Sequence, residues 1–237
     1  EEIKRSNKEL ERFAYIASHD LKAPLRGIDN LAKWITEDIS ETASEDTLKN
    51  LALLSGRIRR LEGLLEDILA FSRAGRIVEE SSKINLDEFI REVVAMQSLP
   101  KDFQVDIQSD LPEIISPSSP LEQIFGNLLT NAVKHHDKKS GHIDITAKDE
   151  GAYLRFCVTD DGPGIPEQYH KRVFEMFQTL KSRDKVEGSG LGMAIIKKLV
   201  ETQNGTVNII SPANGERGTS ICFTWPKVFQ MNEPEEK

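Results

Sequence analysis

Apolar positions over residues 1–75 recur at helical spacing. With Leu10 as zero and about 100° per residue, Ile3, Ala14, Ala17, Leu21, Leu25, Ile28, Ala32 and Ile35 fall within about 60° of it. Phe13 and Leu31 mark the edge of that stripe. After a polar break, "SETASED", a second helix carries Leu51, Leu54, Ile58, Leu61, Leu65 and Ile68 in alternating steps of three and four, the seam of a coiled coil. Two long helices joined by a short polar turn predict an antiparallel hairpin. One hairpin cannot cover stripes this wide, so a second copy is expected, completing a four-helix bundle as a homodimer.

The pattern changes beyond residue 75. "RAGRIVEESSK" has no apolar period and reads as a linker over 76–83. From 84 to 228 the segments "FQVDIQS", "HIDITAK", "YLRFCVTD", "TVNIISP" and "TSICFTWP" have strand length and strand pattern. Helices are expected near 86–98, 117–134 and 188–203. Strands with helices collected between them predict an α+β sandwich, one sheet covered by helices on one face. Residues 229–237 form a polar tail.

Composition narrows the class. The 237 residues carry a formal net charge of -8, which argues against non-specific nucleic-acid binding. No run of about 18 apolar residues is present, so no membrane contact by this segment is expected. Cys157 and Cys222 sit in strand-like apolar runs and read as buried thiols, which implies a reducing, cytoplasmic setting. The chain opens on an already helical "EEIKRSNKELERF", so an upstream segment is expected to precede it.

Several constellations could carry chemistry. His19 lies about 180° from Leu10, opposite the apolar stripe, with Asp20 beside it. An exposed neutral imidazole is a competent nucleophile when a carboxylate orients it or takes its proton, although a solvated surface histidine has the same position. Pro24 should bend the helix by removing a hydrogen bond to Asp20. In "QIFGNLLTNAVKHHD", Gln123, Asn127, Asn131 and Lys134 share one helix face, with His135 at its margin. The asparagine oxygens suit a hard cation such as magnesium and the lysine suits phosphate, while a plain solvated face explains the same spacing. His135 and His136, being adjacent, point apart and make a poor metal pair.

Two glycine-rich turns follow. "DDGPGIP" comes directly after a strand, where Gly162 and Gly164 permit close backbone approach and Asp160 could accept a hydrogen bond from a base amino group. "EGSGLGMAIIKKLV" puts Gly188, Gly190 and Gly192 where a helix begins, a position that favours phosphate oxygens. Neither turn has the context of a dinucleotide fingerprint or a Walker loop. Between them lies a polar segment with Phe174 and Phe177, one turn apart, expected to anchor a lid to the core.

The order of these motifs is more specific than any one of them. "SHDLKAPL", "NLLTNAVKH", "DDGPGI", "FEMF" and "GSGLGMAI" together resemble the transmitter core of bacterial sensor histidine kinases over about residues 5–226. The resemblance implies a dimerisation and phosphoacceptor domain over 1–75, with His19 as acceptor and Asp20 as its acid/base partner. It implies an ATP-binding domain of the GHKL type over 84–228. Asn127, Asn131, Lys134 and His135 then match the N box, with Asn131 and Asn127 toward Mg2+. Asp160 matches the reader of the adenine amino group, with Gly162 and Gly164 shaping its pocket. Phe174 and Phe177 match the F box; Gly188, Gly190, Leu191 and Gly192 match the second glycine box; Thr219 matches a residue near the adenine. The implied function is ATP-dependent histidine autophosphorylation and phosphotransfer to an aspartate of a response-regulator receiver domain. The alternatives are an ATP-driven conformational switch of the same fold and a non-catalytic dimeric scaffold.

Two departures from the family pattern stand out. The position four residues after the histidine, which often carries threonine or asparagine for dephosphorylating the partner, holds Ala23. This implies weak phosphatase activity. Where a lid arginine often follows the F box, Thr179 stands, leaving Lys181 or Arg183 for that role.

Overall fold

The computed structural model describes residues 2–74, 80–179, 189–213, 215 and 217–228, with side chains from residue 20 onward. The first two elements are long helices, α1 (Glu2–Ile39) and α2 (Glu45–Arg73), and α1 continues through Pro24 without interruption. The expected turn falls at Ser44, whose hydroxyl accepts the Thr47 N–H at 3.2 Å, with Glu45 and Asp46 complementing the helix dipole. The two helices pack antiparallel, burying Leu25 against Ile58 and Leu65, and Lys22 bridges to Glu66 at 3.1 Å. Much of the apolar stripe stays outside this contact: Leu21, Ile28, Leu31 and Ile35 of α1, and Leu54 and Leu61 of α2, are exposed. A single hairpin has too little surface to cover them, as their spacing predicts.

The remaining elements are β1 (Ser82–Asn85), α3 (Leu86–Met96), β2 (Phe103–Ile107), β3 (Glu113–Ser116), α4 (Ser118–Lys134), β4 (Gly141–Glu150), β5 (Tyr153–Asp160), α5 (Gly192–Thr202), β6 (Val207–Ile210) and β7 (Thr219–Pro226). Asn85 starts α3 by accepting the N–H groups of Asp87 and Glu88 through Oδ1. The main sheet has the order β2-β4-β5-β7-β6, with β2 and β4 parallel and the other pairs antiparallel. β1 and β3 form a separate antiparallel pair that the strand pattern does not reveal, because each is only four residues long.

Alternation along β5 directs Leu154, Phe156 and Val158 to the helical side, where they are buried with Ile221, Phe223 and Trp225 of β7. Phe125 of α4 meets Phe156 edge-on at 5.5 Å and Phe223 at 5.7 Å. Trp225 is fully buried, and its indole N–H donates to the equally buried Ser116 Oγ at 2.9 Å. This core fixes the C-terminal end of β5 and the N-terminal end of β7 side by side beneath α4, which is where the site lies.

One expectation fails on the opposite face of the sheet. Cys157 and Cys222 are not free thiols but a disulfide. They are direct register partners on β5 and β7, and that register is a long-range fact that the pattern of each strand alone cannot supply. No helix among the described residues is long and apolar enough to cross a membrane.

Candidate functional site

A cavity of about 580 Å³ opens between α4, the end of β5 and the start of α5. Nine of the sequence-predicted residues line it: Asn127, Asn131, Lys134, His135, Asp160, Gly164, Gly190, Gly192 and Thr219. They come from four places in the chain. The α4 residues arrive together because the other side of that helix is committed to the core through Leu121, Ile124, Phe125, Leu128 and Ala132. Asp160 and Thr219 arrive together as the last rung of the β5–β7 ladder.

Asp160 is set up as a half-buried acceptor. Burial pushes its carboxyl above the ordinary aspartate value, opposed by hydrogen bonds from the backbone N–H groups of Gly162 and Thr219. The Gly162 bond measures 2.9 Å. A Cβ at Gly162 would lie 2.7 Å from the Asp160 oxygen, so this position needs a glycine although Gly162 does not itself line the cavity. Gly164 takes φ +80, and its Cβ would meet Ser211 Oγ at 2.9 Å. Ser211 in turn accepts the Ile165 N–H and donates to the Gly218 carbonyl, tying the turn to the loop before β7.

The α4–α5 side of the cavity is polar. Gly192, the first residue of α5, leaves open the space beside two carboxamides: the nearest atoms to an added Cβ would be Asn127 Oδ1 at 3.6 Å, with Asn127 Cγ and Asn131 Nδ2 at 3.8 Å. Asn127 also has a buried amide nitrogen with no hydrogen-bond partner among the described residues. A buried polar atom without a partner is costly, and this one belongs to a residue that lines the cavity. Carboxamide oxygens with a neighbouring lysine make a donor set suited to Mg2+ bound together with phosphate.

Several expected residues stand elsewhere. Leu191 is buried in the core, not exposed to the cavity. Phe177 is exposed and has φ +63, so it does not anchor a lid to the core. The described residues of this segment do not form a regular helix: of two 3-10 turns, Glu167–Tyr169 and Arg172–Phe174, the second ends in extended backbone at Glu175, which breaks the one-turn spacing of the two phenylalanines. Phe174 is half-buried but does not line the cavity; Val173 lines it and is the buried residue there. Asp20 and Ala23 are exposed on α1. The side chain of His19, and Gly188, Lys181 and Arg183 altogether, lie outside the described residues.

Other lining residues had no sequence signal. Ile165, Tyr169, Met193 and Ile221 supply apolar wall suited to a flat ring. Asp67 comes from α2, so the hairpin contributes to the cavity. The same approach is held by Lys198 of α5, whose Nζ donates to the Phe71 carbonyl at 2.7 Å and lies 4.4 Å above that residue's ring.

Comparison with known proteins agrees with this geometry. Residues 9–77 match the His Kinase A (phospho-acceptor) domain. Residues 117–228 match the histidine kinase-, DNA gyrase B- and HSP90-like ATPase domain. Cyanobacterial phytochrome B of Nostoc sp. is 35% identical over 232 residues, covering 96% of this chain and 31% of the relative. The chain thus spans about a third of the length of the curated relatives it matches. Among solved structures, full-length ShkA in complex with AMPPNP superposes with a TM-score of 0.69 at 26% identity, covering 91% of this chain and 45% of that one. Histidine kinase ThkA in complex with the response regulator TrrA shares the fold, with a TM-score of 0.62 at 22% identity over 95% of this chain and 65% of that one.

Proposed function

The chain belongs to the sensor histidine kinases, as a transmitter core, and from that premise we propose that it moves the γ-phosphate of ATP onto its own His19 and then to an aspartate of a response-regulator receiver domain. The observation that carries this reading is the composition of the cavity. It combines a half-buried carboxylate acceptor, an apolar wall, two carboxamides with a lysine, and glycine-opened space at a helix start. These are the complements of an adenine amino group, a purine ring, a metal-bound triphosphate and its oxygens.

Phosphoryl transfer asks little covalent chemistry of a protein; positioning and charge neutralisation dominate. Asn131 and Asn127 would hold Mg2+, which when bound neutralises charge on the phosphates. Lys134 adds a point charge at the same end. Asp160 would fix the base by accepting from its amino group. Asp20, exposed beside His19, orients the imidazole or takes its proton. The exposed apolar stripe on α1 and α2 supports a homodimer, in which the hairpin finds its missing partner. The ThkA–TrrA structure supports a receiver domain as the acceptor. Such a core works where ATP is available, in the cytoplasm, with a sensor segment outside this chain.

Incubation with labelled ATP and Mg2+, comparing wild type with His19→Gln, tests the proposal. Acid-labile, base-stable label on wild type alone is the expected result. ATP hydrolysis without label would make the protein an ATP-driven switch, and neither activity would leave a scaffold.

A further inference from the structure

Resting on the ATP-binding reading, we propose that His136 is a positioning residue for base recognition: with Asp161 it braces the turn that aims Asp160. His136 lies two residues beyond α4, and its side chain is only 1% exposed. Its Nε2 stands 3.0 Å from Asp161 Oδ1, which also accepts the His142 N–H at 2.8 Å. Burial alone would raise the Asp161 carboxyl, but the His142 N–H and the His136 ring outweigh it and hold the carboxyl below its ordinary value. Asp161 Oδ1 takes the His142 N–H and is an acceptor, so His136 Nε2 is the donor of this pair. The other ring nitrogen faces both the N–H of Lys138 at 3.0 Å and its carbonyl at 3.2 Å. The Lys138 N–H donates to it, which leaves Nε2 as the ring's donor toward Asp161.

The ring is also wedged sterically. Phe103 meets it edge-on at 5.3 Å. A Cβ at Gly141 would fall 3.0 Å from Nε2 and 3.1 Å from the Asp161 carboxylate, and one at Gly162 would fall 3.3 Å from Cδ2. Beyond Asp161, Arg217 donates to its carbonyl at 3.2 Å and pairs with Asp137 at 2.8 Å. These contacts join the end of the phosphate-side helix to the turn Asp160–Gly162. Neither His136 nor Asp161 lines the cavity, so both act through Asp160.

The test compares binding of Mg-ATP with Mg-ITP, whose base lacks the amino group that Asp160 would accept. Wild type is expected to prefer ATP. In His136→Leu, which leaves Asp161 without its buried donor, ATP affinity should fall roughly ten- to hundredfold while ITP affinity changes by less than about threefold. His136→Gln, whose amide can reach Asp161, should restore the preference to within about threefold of wild type. Asp161→Ala, approaching the pair from its other side, should reproduce the loss if His136→Leu fails to fold. Equal loss of ATP and ITP binding in both disrupting variants would reduce the pair to a structural strut and overturn the proposal. An unchanged preference in both would overturn it as well. Wild type that binds neither nucleotide would overturn the ATP-binding reading itself, and the proposal with it.

Discussion

Gly190→Ala should separate nucleotide binding from folding. Gly190 has φ +76, a conformation that costs an ordinary residue roughly 1–2 kcal/mol. Its new Cβ would sit 2.7 Å from the Gln178 carbonyl oxygen, 2.9 Å from Phe177 C and 3.0 Å from Gln178 N. All three are backbone atoms, so no side-chain rotation relieves the overlap, and we assign it about 1–2 kcal/mol more. The total, about 2–4 kcal/mol, need not be borne by the core, because Gly190 and Gln178 meet at the cavity wall and can move apart there. The wall then loses the shape that receives the phosphates. At about 1.4 kcal/mol per decade this is a thirty- to several-hundredfold weaker binding of Mg-ATP, with little change in Tm. Calorimetric titration with a non-hydrolysable ATP analogue, beside a thermal melt, reads both quantities. Gly63→Ala on α2, where nothing lies within 4 Å of the added methyl, serves as the binding control, with Tm unchanged or slightly raised because alanine favours a helix interior. Binding within twofold of wild type, or a large drop in Tm, would refute the reasoning.

Other consequences follow from the same structure. Ile28→Glu with Ile35→Glu puts charge on the exposed stripe of α1; burial of such side chains contributes about 1.5–3 kcal/mol each, so sedimentation should show dissociation to monomer with the helical content retained. Asp160→Asn should raise Tm near neutral pH while weakening ATP binding, because burial disfavours the ionised carboxylate. Asp161 has the opposite sign: its lowered value gives stability that is present above the ordinary aspartate pKa of about 3.9 and is lost as the pH falls through its lower folded value. Melts of Asp161→Asn should therefore lose less Tm than wild type on acidification below about pH 4. Ala23→Thr, at an exposed position on α1, should shorten the lifetime of a phosphorylated receiver partner that wild type leaves nearly unchanged.

Much of this architecture is legible in the chain because it depends on local periods. Leu51 to Ile68 encode a seam, the two-sided pattern of α4 encodes both its buried face and its asparagine face, and the alternation in β5 encodes which way Phe156 points. What the chain conceals depends on register or on contacts between distant segments. Cys157 faces Cys222 only because β5 and β7 pair as they do. Phe177 looks like an anchor until Glu175 turns extended and takes it off the helical period. His136 looks like an idle neighbour of His135 until Asp161, 25 residues on, folds back beneath it. Asp67 and Phe71 read as ordinary helix positions, although they reach the ATPase half of the molecule.

The central claim is that the cavity delivers phosphate to His19, and the most direct measurement localises that phosphate. Wild type and Asn131→Ala would be incubated with Mg-ATP and mapped by mass spectrometry under neutral to alkaline conditions. The account predicts phosphate on the peptide containing His19 in wild type, and its loss in Asn131→Ala with the fold intact. Phosphate on another residue, or phosphate on His19 that persists in Asn131→Ala, would contradict it.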